Sequence, residues 1–285
     1  MLAATWLTAA PVSASGVARP PVTPIHASKI ILVGDSTTAV QSGWGADFCA
    51  RHVTSALTCT NLARGGRSTY SYRADGSWDL ALEEMRSGRY AQVWVVVQFG
   101  HNDQPGKPER STDLATEFPA NLRRYVEDIR SAGAIPVLVT PLTRRQFDRG
   151  VLRDDLAPWA ASVHQVARQL DVPLVDLHAR SRAVVQGMGP VLSTQLAQRP
   201  ATTAQVKAAQ AGDSLEAKAP VADTTPAAAA VASAANAGTG AETMATPKLA
   251  FDYTHLGPEG AALFSAIMAD ELARQLPALR SLLIP

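Results

Sequence analysis

The apolar residues of this chain come in short runs separated by amphipathic stretches. Residues 29–33 carry Ile30, Ile31, Leu32 and Val33 in succession and break at Gly34-Asp35-Ser36. Residues 93–99, Val-Trp-Val-Val-Val-Gln-Phe, run straight into Gly100-His101-Asn102-Asp103. Short β-branched runs with no polar alternation, bounded by turn residues, are strands covered on both faces. The same pattern predicts strands at 57–62, 134–139 and 172–177. Between them, residues 38–50, 78–86, 118–132 and 155–170 read as helices, the third with Leu122, Tyr125, Val126 and Ile129 on one side. A last amphipathic helix is expected over 259–276. Strands alternating with helices predict one α/β domain, a five-stranded parallel sheet with helices on both faces and right-handed crossovers.

The ends and one internal stretch break this rhythm. Residues 1–14 begin with a short apolar segment and reach Val12-Ser13-Ala14, the pattern of a signal peptide with a small-residue cleavage site. Residues 15–28 are Pro-rich and polar, a tether into a domain spanning 29–285. From 193 to 247 the chain is Ala, Thr, Gln, Ser and Gly without apolar periodicity, so it is expected to be a disordered insertion, with a fraying helix near 204–211. The net charge of +1 over 285 residues points to neither nucleic acid nor an anionic membrane surface. No apolar run is long enough to span a bilayer. Export would favour a disulfide between the two cysteines, Cys49 and Cys59, with two buried thiols as the alternative.

Candidate chemistry gathers at the ends of the strands. Ser36 closes the first strand, where its hydroxyl is free and its N–H would face a ligand from the start of the helix expected at 38. Asp252-Tyr253-Thr254-His255 spaces a carboxylate three residues from an imidazole, so the one can orient the other as a base. Asn102, after the central strand, can donate an amide N–H to an oxyanion, and Gly66 can bring a bare backbone N–H close to a ligand. Arg144 and Arg145, after the fourth strand, could grip a carboxylate. Trp44 and Trp78 could stack on sugar rings or pack in the core. No Gly-x-Ser-x-Gly elbow, His-Glu-x-x-His or phosphate loop is present, so neither a metal nor a nucleotide cofactor is called for.

Gly34-Asp35-Ser36, Gly66, Gly100-His101-Asn102-Asp103 and Asp252-x-x-His255 resemble the four blocks of the SGNH (GDSL-type) hydrolases. Gly65-Gly66-Arg67-Ser68, Thr140-Pro141-Leu142-Thr143-Arg144-Arg145-x-Phe147 and Gly76-Ser77-Trp78-Asp79 narrow the resemblance to the rhamnogalacturonan acetylesterase branch. That resemblance implies a three-layer, flavodoxin-like fold and hydrolysis of acetyl esters on a pectic or related polysaccharide. By position it makes Ser36 the nucleophile, His255 the base and Asp252 its orienter, with Ser36, Gly66 and Asn102 forming the oxyanion hole. The sequence departs from the branch where Tyr70 stands in place of a frequent basic residue, and in the length and alanine content of the insertion. A lipase or thioesterase on the same fold, and an inactive carbohydrate-binding protein, are the rival expectations. Oligomeric state is left open.

Overall fold

The computed structural model describes Val22 and residues 26–215 and 250–284. The expected signal, most of the tether, and the insertion beyond 215 lie outside the described residues.

Among the described residues, the five strands of the main sheet alternate with helices, and two further short strands pair antiparallel. In chain order they are β1 (Ser28–Gly34), α1 (Gly45–Arg51), β2 (Leu57–Asn61), α2 (Ser71–Ala74), α3 (Ser77–Arg86), β3 (Val93–Gln98) and α4 (Glu117–Ser131). Then come β4 (Ile135–Val139), β5 (Phe147–Asp148), β6 (Val151–Leu152), α5 (Ala157–Leu170), β7 (Leu174–Val175) and α6 (Leu177–Leu192). A 3-10 turn (Ser193–Leu196), α7 (Thr203–Gln210), α8 (Pro258–Gln275) and α9 (Pro277–Arg280) complete the described elements. The main sheet has five parallel strands in the order β2-β1-β3-β4-β7.

Strand residues alternate between two cores because successive side chains leave opposite faces of a pleated sheet. Ile30 and Leu32 of β1, with Trp94 and Val96 of β3, face Phe48, Val185, Phe264, Met268 and Leu272. Ile31 and Val33, with Val95 and Val97, face Trp78, Met85, Leu122, Tyr125, Trp159 and Val163. Thus α1, α6, α8 and α9 cover one face and α2 to α5 the other, the three-layer arrangement the pattern predicts. Two polar side chains of the central strands are buried and paired: Lys29 of β1 donates to Glu84 Oε1 at 2.7 Å, and Gln98 Oε1 of β3 accepts from Thr38 Oγ1 at 2.6 Å and Trp44 Nε1 at 2.8 Å.

The structure departs from the sequence pattern in four places. No helix starts at 38: residues 37–43 form turns, and α1 begins at Gly45. The cause is local, because Asp35 captures Thr37 and the chain folds back so that Trp44 N and Gly45 N donate to the carbonyls of Thr37 and Thr38. The fifth strand shrinks to Leu174–Val175, since Asp176 caps α6 by accepting from Ala179 N. The helix α6 itself is hidden in the sequence by Gly187, Gly189 and Pro190, and Gly189 kinks it. Finally, the stretch expected to be disordered from 193 carries a 3-10 turn at Ser193–Leu196, and α7 stands where the fraying helix near 204–211 is expected. Leu196, Gln205 and Ala209 are buried, and Thr202 and Gln205 form a reciprocal capping box that starts α7.

Cys49, on α1, and Cys59, on β2, are joined by a disulfide that ties the first helix to the edge strand. No described helix is long and apolar enough to cross a membrane.

Candidate active site

Parallel strands deliver their carboxyl ends to one edge of the sheet, and β1 delivers Ser36 there. Gly34 lets the strand turn at that edge: a Cβ on it would stand 2.7 Å from the carbonyl of Gln98 and 2.8 Å from Thr38 Oγ1. Asp35 Oδ1 accepts from Thr37 N at 2.8 Å and from Thr37 Oγ1 at 2.7 Å, an Asx-type turn that fixes the residue between them. Burial pushes the Asp35 carboxyl up, but the neighbouring His101 and the two Thr37 bonds outweigh it and hold the group below its ordinary value. Ser42 Oγ donates to the Ser36 carbonyl at 2.8 Å. Ser36 therefore sits in a braced tight turn, not at the N-terminus of a helix as the sequence pattern suggests.

His255 Nε2 lies 2.8 Å from Ser36 Oγ, and His255 Nδ1 lies 2.7 Å from Asp252 Oδ2. The carboxylate can only accept from Nδ1–H, so Nε2 is left as the acceptor for the Ser36 hydroxyl. Asp252 Oδ1 accepts from Thr254 N at 2.8 Å and His255 N at 2.7 Å, which wraps the four-residue loop around one carboxylate. Burial raises the Asp252 carboxyl, but the bond and charge of His255 and the two backbone N–H groups prevail and hold it well below the usual carboxylate range. Asp252 thus remains ionised. It does not cap the last helix; Gly257 and Pro258 begin α8.

Asn102 and Gly66 line the same cleft as Ser36 and His255. Asn102 Nδ2 donates to the Arg67 carbonyl at 3.0 Å, which joins the loop after β3 to the loop after β2. Gly66 takes φ +78°, the left-handed region that favours glycine. Behind them, Asp103 Oδ1 accepts from Thr69 N at 3.0 Å, Thr69 Oγ1 at 2.5 Å and Thr112 Oγ1 at 3.0 Å. Burial pushes the Asp103 carboxyl up to about 7 against these bonds.

The two arginines part company. Arg144 lines the cleft and pairs with Asp155. Arg145, expected to reach a substrate carboxylate, is 1% exposed and points away from the cleft. Its backbone N–H donates to the Tyr253 carbonyl at 2.9 Å, and its guanidinium donates to the carbonyls of Asp252 (3.1 Å), Thr254 (3.3 Å) and His255 (2.8 Å). It is the clasp of the Asp252–His255 loop. Burial lowers its guanidinium to about 10 while Asp252 pulls it back up, so it stays a cation at neutral pH. The sequence carries no signal for this clasp, because residues 143–146 are all polar; in the structure Thr143, Arg145 and Phe147 are buried while Arg144 and Gln146 are half-buried.

Trp44 and Trp78 are core residues, 0% and 2% exposed, and cannot stack on a sugar. His101 is buried, with Nδ1 3.5 Å from Asp35 Oδ2, and its carbonyl accepts from Lys107 Nζ. His178 is also structural, bridging the Pro141 carbonyl and Asp154 Oδ1.

The cleft above Ser36 encloses about 390 Å³, and its rim carries Lys107, Arg110, Arg144 and Gln198. A serine bonded to an imidazole that is itself bonded to a carboxylate is the arrangement that activates a hydroxyl as a nucleophile. Residues 32–185 match the model of the GDSL-like lipase/acylhydrolase family. The chain belongs to that family. It is a carboxylic ester hydrolase. The matched span holds Ser36, Gly66 and Asn102, whereas Asp252 and His255 lie beyond it and join the site through the fold.

Two relatives from Bacillus subtilis (strain 168) are similar along much of this esterase. The probable rhamnogalacturonan acetylesterase YesY is 34% identical over 164 residues, 55% of this chain and 73% of the relative. The rhamnogalacturonan acetylesterase RhgT is 34% identical over 176 residues, 59% of this chain and 72% of the relative. Among solved structures, YxiM from Bacillus subtilis shares the fold, with a TM-score of 0.60 at 20% identity, over 88% of this chain and 58% of that one. Among the described residues, no group of three or more His, Cys, Asp or Glu side chains is arranged to hold a metal ion.

Proposed function

We propose that this esterase removes acetyl groups from a pectic polysaccharide through a serine acyl-enzyme. The observation that carries the chemistry is the unbroken line from Ser36 Oγ to His255 Nε2 at 2.8 Å and from His255 Nδ1 to Asp252 Oδ2 at 2.7 Å. In the first step Ser36 Oγ bonds to the ester carbonyl carbon as its proton passes to His255 Nε2, and the carbonyl π pair moves onto oxygen. That oxyanion would sit among the N–H groups of Ser36 and Gly66 and the Asn102 amide. One Asn102 Nδ2 proton is held by Arg67, and an amide carries two, so the second is available to the oxyanion. Collapse breaks the bond to the sugar oxygen, which takes the proton from His255. Water then attacks the acetyl-serine, with His255 again taking and returning the proton, and acetate leaves. The ionised Asp252 stabilises the imidazolium formed in each half.

Two observations support a carbohydrate substrate. The relative RhgT is described as a rhamnogalacturonan acetylesterase and YesY as a probable one. The rim carries Lys107, Arg110, Arg144 and Gln198, donors suited to hydroxyls and carboxylates and ill suited to an acyl chain, which speaks against a lipase. The Cys49–Cys59 bond supports export, because disulfides persist in oxidising compartments.

The test is acetate release across acetylated rhamnogalacturonan, acetylated xylan and p-nitrophenyl esters of increasing acyl length. The expected result is acetate from the pectic substrate and a preference for acetyl over longer acyl groups. Faster turnover of octanoyl than acetyl esters, with no acetate from any polysaccharide, would instead indicate a lipase-like enzyme.

A further inference from the structure

A second cleft of about 650 Å³ adjoins the first. Gly65, Gly66 and Arg110 line both, so the two meet along the loop that follows β2. Tyr70 lies in the second cleft and is 54% exposed. Among the described residues the other exposed large hydrophobic side chains are aliphatic, and Tyr70 is the one exposed Phe, Tyr or Trp. A Tyr ring offers a flat apolar face and a hydroxyl at its edge, the two features a sugar can meet at once.

The walls around it are polar and held in place. Arg67 Nε donates to Asp75 Oδ2 at 2.8 Å and its guanidinium to the Gly65 carbonyl at 3.1 Å. Asp75 Oδ1 accepts from Ser77 N at 3.0 Å. Arg110 reaches the Gly66 carbonyl at 3.3 Å, at the seam between the clefts. One flat apolar surface ringed by fixed hydrogen-bonding groups matches a sugar ring, which has an apolar C–H face and hydroxyls at its edge. It does not match an acyl chain, which offers nothing to the edge groups.

We infer that this second cleft is a subsite for a sugar residue beside the acetylated one, with Tyr70 as its stacking platform. The inference rests on the polysaccharide function proposed above and adds that the esterase grips a chain, not a single sugar. An ester too small to leave the first cleft gains nothing from Tyr70, whereas an oligosaccharide long enough to reach the second does. Tyr70 is thereby a specificity-determining residue.

The experiment compares kcat/KM on acetylated rhamnogalacturonan oligosaccharides of graded length with kcat/KM on p-nitrophenyl acetate, for the wild type, Tyr70→Ala and Tyr70→Trp. Tyr70→Ala is expected to lower the ratio of the two by roughly tenfold, the size of one good aromatic contact, on the longer oligosaccharides and not on the shortest. Tyr70→Trp is expected to keep most of the wild-type ratio. A ratio unchanged in Tyr70→Ala at every length, in a wild type that does release acetate from the oligosaccharides, overturns the subsite alone. A wild type that hydrolyses p-nitrophenyl acetate but releases no acetate from any oligosaccharide overturns the polysaccharide function and the subsite with it.

Discussion

Adjacent residues after β3 do different work. Asn102 faces the cleft, and its amide is held by the Arg67 carbonyl. Asp103 turns inward and gathers three donors on one oxygen, while its Oδ2 has no hydrogen-bond partner among the described residues. A protonated carboxyl suits that environment, because Oδ1 keeps its donors and Oδ2 is relieved of an unpaired charge. The folded pKa of about 7 lies above the ordinary carboxylate value, so the folded state binds the Asp103 proton more tightly than the unfolded chain. The stabilisation is therefore complete below about pH 4 and is lost as pH rises through about 7. Asp103→Asn keeps an acceptor for Thr69 and Thr112 and cannot ionise. Urea unfolding followed from pH 4 to 8 should show wild-type stability declining relative to Asp103→Asn across that range. Parallel profiles for the two proteins would contradict a buried carboxyl that titrates there.

At the scale of elements, the site is assembled by loops that share few residues with the core and are held by bonds between them. Arg145 is the clearest case. It leaves β4, stays buried, and spends its N–H and its guanidinium on four consecutive carbonyls, from Asp252 to His255. The loop it holds carries the base and its orienter and has no strand of its own to fix it. Arg145→Met would leave the carbonyls of Asp252, Thr254 and His255 without the guanidinium, keep the backbone bond to Tyr253, and let the imidazole drift from Ser36. Misplacement of that order costs about 10²-fold in kcat, and lost bonds to a charged donor cost about 1.5–3 kcal/mol each before relaxation. The expected outcome is a large fall in kcat with a smaller change in KM, together with a lowered melting temperature. Wild-type kcat in a folded Arg145→Met protein would show that the loop holds itself. The charge of this arginine suggests a substrate contact in the sequence, and nothing in the polar run Thr143-Arg144-Arg145-Gln146 marks that it turns inward.

Across the whole molecule, what the sequence makes legible is whatever depends on burial period or on short-range spacing. The runs at Ile30–Val33 and Val93–Val97 are apolar without alternation because both faces of a five-stranded parallel sheet are covered, so the strands, their layers and the edge bearing Ser36 follow. The Asp252-x-x-His255 spacing marks its pair because both groups share one turn. Hidden features depend on tertiary partners. A capping box and the burial of Leu196 order a stretch whose composition reads as disorder. The turn at 37–43 follows from Asp35 capturing Thr37, which outweighs the helical tendency of the residues beyond. Sequence leaves Trp44 and Trp78 open between sugar stacking and core packing; the fold puts both in the core and leaves Tyr70 exposed.

All of this converges on Ser36, which gains a base only because a loop more than 200 positions further along the chain returns to the edge of β1. The measurement that bears on it most directly is the turnover of p-nitrophenyl acetate by Ser36→Ala, in protein whose circular dichroism matches the wild type. Removal of the attacking oxygen is expected to lower kcat by roughly 10³-fold or more. A Ser36→Ala protein that turns over the ester at the wild-type rate would contradict the assignment of Ser36 as the nucleophile.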